Sequence, residues 1–124
     1  MSEAIELHDS EMSSVDLQGS AICIVLSDTY IWADKKGWGQ KAFLRLDNVE
    51  VIKEPGKYPL TISDGSLISG DEQFDNIVPL PFSEKGRFSL RVTFTNGAQL
   101  IIDGDNPTIE LVGERRYIEE AGDL

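Results

Sequence analysis

Cysteine and histidine are almost missing from this chain of 124 residues, which holds one of each, Cys23 and His8. A lone cysteine closes no internal disulfide and builds no thiolate cluster, and a lone histidine leaves a zinc set without its second imidazole. Long apolar runs are absent too. The longest, "AICIVL" from Ala21 to Leu26, has six residues, about a third of what a bilayer-spanning helix requires. Cys23 lies inside that run and is expected to behave as a small buried hydrophobe. Positive charge is scarce: 11 basic residues face 22 acidic ones, for a net charge of −11. The deficit is spread along the chain, with 6 basic against 10 acidic residues up to Ile62 and 5 against 12 beyond it. Such a field repels phosphate backbones and anionic headgroups, so nucleic acid and membranes are poor partners and a basic protein is the better electrostatic match. The start "MSEAIELHDSE" is acidic where a signal peptide carries basic residues before a longer apolar stretch, and the expected location is the cytoplasm.

What remains is an ordinary globular composition, 40% hydrophobic and 27% charged, long enough for one core and read as a single domain over residues 1–124. Apolar residues recur at every second position in short runs divided by Gly, Pro, Asn and Asp, a strand pattern rather than a helical one. "AIEL", with Ile5 and Leu7, predicts a first strand, and "SSVDLQ", with Val15 and Leu17, a second, with Asp9 and Ser10 turning the chain between them. After a turn at Gln18-Gly19-Ser20, "AICIVLSDTYIW" reads as a central strand. "KAFLRLDNVEVIKE" follows, with a bulge or bend near Asp47-Asn48, and Glu54-Pro55-Gly56 ends the pairing. "YPLTISD" and "SLISGD" are expected to flank a turn at Asp64-Gly65, and "SGDEQFDN" to be a surface loop. In "IVPLPF" two prolines each remove a ladder donor, which assigns the segment to an edge or outside the sheet.

"RFSLRVTFTNGAQLIID" carries the most register information. A two-residue turn at Asn96-Gly97 would set Phe94 opposite the amide of Gln99. A three-residue loop, Thr95-Asn96-Gly97 with Gly97 left-handed, instead pairs Phe94 with Ala98, Val92 with Leu100 and Leu90 with Ile102, and is preferred because all three pairs are apolar. Beyond "DGDNP", "TIELV" predicts a last strand, and "ERRYIEEAGDL" either a single helical turn or a frayed tail. The fold expected is an all-β, antiparallel sandwich or flattened barrel of about 7–9 strands.

Three stretches contain chemically suggestive residues. His8-Asp9-Ser10 places an imidazole, a carboxylate and a hydroxyl in sequence, but alternation along a strand sends neighbouring side chains to opposite faces, so no triad is expected. The expected role is structural, with His8 as one exposed contact. "TYIWADKKGWGQKAF" holds Tyr30 and Trp32 on one strand face, Trp38 in a Gly-flanked loop, and Lys35 and Lys36 beside them, a set that could anchor a protein or stack on a sugar. In "DGDNPTIELVGE", Asp103, Asp105 and Glu114 fit an EF-hand count, but Pro107 and Thr108 occupy the fifth and sixth positions, where the glycine is needed, and the motif is rejected. A looser calcium site at Asp103, Asp105 and Asn106 is the remaining metal reading there.

The stretch "IELHDSEMSSVDLQGSAICIVLS" resembles the N-terminal part of small bacterial β-rich proteins of unknown function, among them some immunity proteins of polymorphic toxin systems. The resemblance covers about the first fifth of the chain and reaches only His8 and Asp9. It implies no catalytic role, and its immunity branch implies an inhibitor that plugs a toxin. With no phosphate-cradling loop, no nucleophile beside a base and no metal set, the expectation is a non-enzymatic cytoplasmic protein without cofactor. It would bind a basic protein partner through His8, Asp9, Tyr30, Trp32, Lys35, Lys36 and Trp38. The alternative is a small-ligand domain using Tyr30, Trp32 and Trp38 to hold a sugar or another metabolite.

Overall fold

A computed structural model describes residues 3–120. Nine antiparallel strands form one sheet: β1 (Glu3–Gln18), β2 (Ala21–Ala33), β3 (Lys36–Lys53), β4 (Leu60–Ile68), β5 (Gln73–Asp75), β6 (Ile77–Leu80), β7 (Phe82–Ser83), β8 (Arg87–Phe94) and β9 (Gln99–Glu120). The order runs β5-β4-β8-β9-β3-β2-β1-β6, and Glu11 and Met12 of β1 also pair with Thr61 and Leu60 of β4. That contact joins the two sides of the sheet, so β1, β2, β3, β9, β8 and β4 close into a barrel, the flattened-barrel form of the expected all-β fold. At the other end the first residues of β1 pair with β6, and β7 pairs with Thr108 and Ile109 of β9. The barrel encloses one continuous core, with Ile5, Leu7, Ile24, Ile31, Leu44, Leu46, Phe94 and Ile102 among its fully buried members.

The hairpin register agrees with expectation. Val92 sits opposite Leu100 and Leu90 opposite Ile102, the Phe94 amide donates to the Ala98 carbonyl at 2.9 Å, and Gly97 has φ 88°. Asn96 Oδ1 accepts the Ala98 amide at 2.9 Å and braces the loop. The bulge near Asp47-Asn48 is present, with Asn48 at φ 47° and a register shift against β9. Pro79 lies in the edge strand β6, opposite Ala4.

Four expected breaks are instead bends inside longer strands. Asp9 and Ser10 do not turn the chain: β1 continues through them, with Asp9 at φ 65° and the register against β2 slipping between Glu6 and Glu11. Asp64 and Gly65 lie within β4 at another slip, where a Cβ on Gly65 would stand 3.1 Å from the Leu7 Cβ. Asp103 to Pro107 belong to β9, which bends at Asn106, φ 55°. "ERRYIEE" forms no helical turn; it extends β9 to Glu120, and Tyr117 pairs with Trp38 of β3. Residues 121–124 of that expectation lie outside the described residues. At Asp9 and Asn106 a positive-φ Asx that suits a turn also suits a bulge, at Gly65 the missing side chain lets β4 pass close to Leu7, and in each case pairing to a neighbour keeps the strand going. The expected surface loop around Gln73 contains the short β5, and Trp38 lies in β3 rather than in a loop. Cys23 is half-buried, because β2 alternates and only Ile22 and Ile24 beside it point into the core.

The core and one barrel end supply two tests. Leu44 is 1% exposed at the centre of β3, and Leu44→Ala is expected to lower unfolding free energy by about 3 kcal/mol, read from denaturant titration. Tyr58 packs edge-on against Phe94 at 6.4 Å, and burial, with a lesser push from the Glu54 charge, moves its phenol from the ordinary 10 to about 12. The unfolded chain therefore loses this proton first, so stability should fall as pH rises from 10 towards 12 and be unaffected by this group below 10. In Tyr58→Phe that alkaline component should disappear from the pH dependence of the unfolding midpoint.

Candidate functional site

The outer face at the β2–β3 hairpin end is built by register. Ala4 and Glu6 of β1 oppose Trp32 and Tyr30 of β2, which oppose Gly37 and Gly39 of β3. The two glycines leave a track without side chains, and Tyr30 lies in it. A Cβ on Gly37 would stand 1.9 Å from the Tyr30 hydroxyl, and one on Gly39 2.6 Å from the Arg116 guanidinium. Tyr30 and Trp32 meet edge to face, with centroids 5.4 Å apart. The Tyr30 hydroxyl donates to Glu119 at 3.0 Å, and the Trp32 indole N–H donates to Glu6 at 3.0 Å. Desolvation first, then the hydrogen bond to Glu119 and the charges of Glu119 and Glu6, hold the Tyr30 phenol above its ordinary pKa, so it stays a neutral donor.

The His8-Asp9-Ser10 stretch joins this face through Glu6. His8 Nε2 lies 3.6 Å from an Asp9 carboxylate oxygen and 4.0 Å from the second oxygen of Glu6. Expectation had neighbouring side chains diverging; the left-handed Asp9 backbone interrupts the alternation and brings the carboxylate back to the imidazole. His8 is half-buried, and its Nδ1 has no hydrogen-bond partner. Ser10 takes no part: its hydroxyl is buried and donates to the Glu6 carbonyl at 2.7 Å, stapling the bulge. No hydroxyl therefore stands beside the imidazole as a nucleophile.

The remaining expected residues separate. Lys35 occupies the exposed hairpin tip, where Asp34 and Lys35 both have positive φ, 55° and 61°. Lys36 pairs with Ala33 on one side and Glu120 on the other. Trp38 is on the inner face, opposite Ile31, with its indole N–H donating to the Ala33 carbonyl at 3.2 Å. Its ring meets Tyr117 at 5.5 Å and carries the Arg115 guanidinium at 5.8 Å. The sheet thus stands between Trp38 and the Tyr30–Trp32 pair, and the three rings form no common pocket.

Sequence reasoning missed Glu6, Asp28 and Glu119. Glu6 was legible in principle, because it alternates with Ile5 and Leu7, but Asp28 and Glu119 reach the face through bulges in β2 and β9 that no local pattern reveals. Asp9, Asp28, Thr29, Tyr30 and Ile118 line a shallow depression of about 140 Å³. It offers aromatic edges and carboxylates, a setting for a cation rather than an anion.

Of the Asp103, Asp105 and Asn106 set, the oxygens of Asp105 and Asn106 are already engaged. Asp105 accepts from Asn48 at 3.1 Å and from Arg87 at 3.3 Å, and these contacts, the Asn48 bond foremost, hold its carboxyl below the ordinary value. Asn106 Oδ1 accepts the Gly86 amide at 2.9 Å. Among the described residues, no three His, Cys, Asp or Glu side chains gather in a metal-binding group.

Comparison with protein-family models, with curated proteins and with solved structures finds no match to this chain. Gly37→Ala should expel the Tyr30 ring from its track and break its bond to Glu119. The expected result is a stability loss of about 1–2 kcal/mol, with a changed near-ultraviolet circular dichroism signal that Gly70→Ala, in open space and without a positive φ, does not produce.

Proposed function

We propose that this protein is a non-enzymatic, cytoplasmic binding protein that accepts a basic protein partner on the outer face around Tyr30 and Trp32, in the manner of an immunity-type inhibitor. The observation that carries this reading is the convergence of an aromatic pair with the carboxylates of Glu6, Asp9, Asp28 and Glu119. A lysine or arginine entering the depression would meet aromatic edges and carboxylates together, while the net charge of −11 steers basic partners towards the surface. The face is shallow, as suits a protein surface that contributes one side chain at a time. Support for a small-ligand reading is weaker, because Trp38 is across the sheet from the other two rings.

A lysine- and arginine-rich peptide of about a dozen residues is the simplest probe, followed through tryptophan fluorescence. Glu6→Gln/Asp28→Asn should weaken its binding about tenfold and reduce the salt dependence. Asp71→Asn/Glu72→Gln, which removes two charges from an exposed loop, should change it little. Equal effects from both double variants would reduce the binding to general charge attraction and overturn the proposed face.

A further inference from the structure

The far edge of β9 is open. Between Gly113 and Glu120 this strand pairs with β3 on one side, and among the described residues no strand pairs with the other. An unpaired edge presents a row of backbone donors and acceptors to any strand that can align with it. This edge also exposes two large apolar side chains, Tyr117 at 50% and Ile118 at 42%.

Its sequence is self-complementary. "RRYIEE", residues 115–120, placed antiparallel to itself, sets Arg115 opposite Glu120 and Arg116 opposite Glu119, with Tyr117 and Ile118 at the centre. In a regular strand these partners would point to opposite faces, because the residues of each pair are an odd number of positions apart. The bulge removes that conflict. Tyr117 is opposite Trp38 and Glu119 opposite Gly37, which leaves Ile118 as the extra residue. Arg116 and Glu119 therefore both lie on the outer face, opposite Gly39 and Gly37. Arg115, stacked over Trp38 and bonded to Gln40 at 3.2 Å and Glu3 at 3.3 Å, and Glu120, opposite Lys36, both lie on the inner one. Only with the bulge do both charge pairs fall on matching faces across a two-fold axis perpendicular to the sheet.

We propose that β9 pairs with β9 of a second copy of this chain, forming a symmetric dimer whose sheet runs continuously through the interface. Two Arg116–Glu119 pairs flank a centre made of Tyr117 and Ile118 from each copy, with Glu120 of each copy beyond them. The interface is isologous, as two-fold dimers require. The same charges disfavour parallel pairing, which would set Arg opposite Arg and Glu opposite Glu. The pairing is read from this edge alone, although Ile118 and Glu119 also border the depression beside Tyr30.

Sedimentation equilibrium over a wide concentration range tests it. The wild-type chain should dimerise, and Arg116→Glu or Glu119→Arg should each weaken dimerisation about tenfold or more. The double reversal Arg116→Glu/Glu119→Arg should restore it, and mixing the two single variants should produce the heterodimer. Circular dichroism checks that each variant folds. Should either fail, Glu120→Arg serves in its place, because Glu120 is exposed and accepts its hydrogen bond from the nearby Tyr117 hydroxyl at 3.1 Å. A chain monomeric at every concentration, or a dimer indifferent to the reversals, would overturn the interface.

Discussion

Strand β1 has to satisfy two different neighbours on one edge, and the barrel depends on how it does so. Its first residues pair with β6 and its middle with β4, while its other edge follows β2 throughout. No straight strand could serve both. The change of neighbour is accomplished between Glu6 and Glu11, where Asp9 turns left-handed and the register slips. The Ser10 hydroxyl ties back to the Glu6 carbonyl, and the Leu7 amide donates to the Asn76 carbonyl at 2.6 Å. Asn76 in turn bonds Gly65 and Asp64 through its side chain, so the bend in β1 and the bend in β4 are held by one residue from the opposite side of the closure.

That closing device and the candidate site share residues. Glu6 begins the bend, accepts the Trp32 indole and faces His8. An acidic side chain at this position is stabilised by the indole donor, while its neighbours Asp9, Asp28 and Glu119 add negative potential with little compensation beyond Arg116, 3.6 Å from Asp28. Repulsion among such groups destabilises the compact state slightly.

Local chemistry made the hairpin at Thr95-Asn96-Gly97 legible, because only one loop length aligned three apolar pairs, and it made Pro79 legible as an edge residue. The same chemistry misled at Asp9, Asp64-Gly65 and Asp103–Asn106. An Asx or Gly serves a reversal and a bulge equally well, and which occurs is decided by whether a neighbouring strand continues past it. β3 does continue, so β9 continues with it. "ERRYIEE" has helix-forming residues in isolation, but Gly37, Trp38 and Gly39 offer it a partner with room for Arg116 and an aromatic contact for Tyr117. Of the site, the aromatic pair and His8-Asp9 could be named from the sequence. Their union could not, since it passes through a bulge and a strand pairing of Glu6 with Tyr30.

The pairing of β3 with β9 has a consequence for the order in which the structure can assemble. β1, β2 and β3 follow one another through tight hairpins and can meet as soon as they exist, but the neighbour of β3 on its other side is the last strand of the chain. During synthesis β3 must wait, with an edge bearing Trp38, Phe43 and Leu44, until nearly all the remaining residues have emerged. Loop-closure entropy makes such a distant pairing slow relative to the local hairpins. Of the two pairings of β3, the one with β2 is therefore the faster to form, and the like-charge repulsion of the acidic surface opposes contact between copies whose edges are still open.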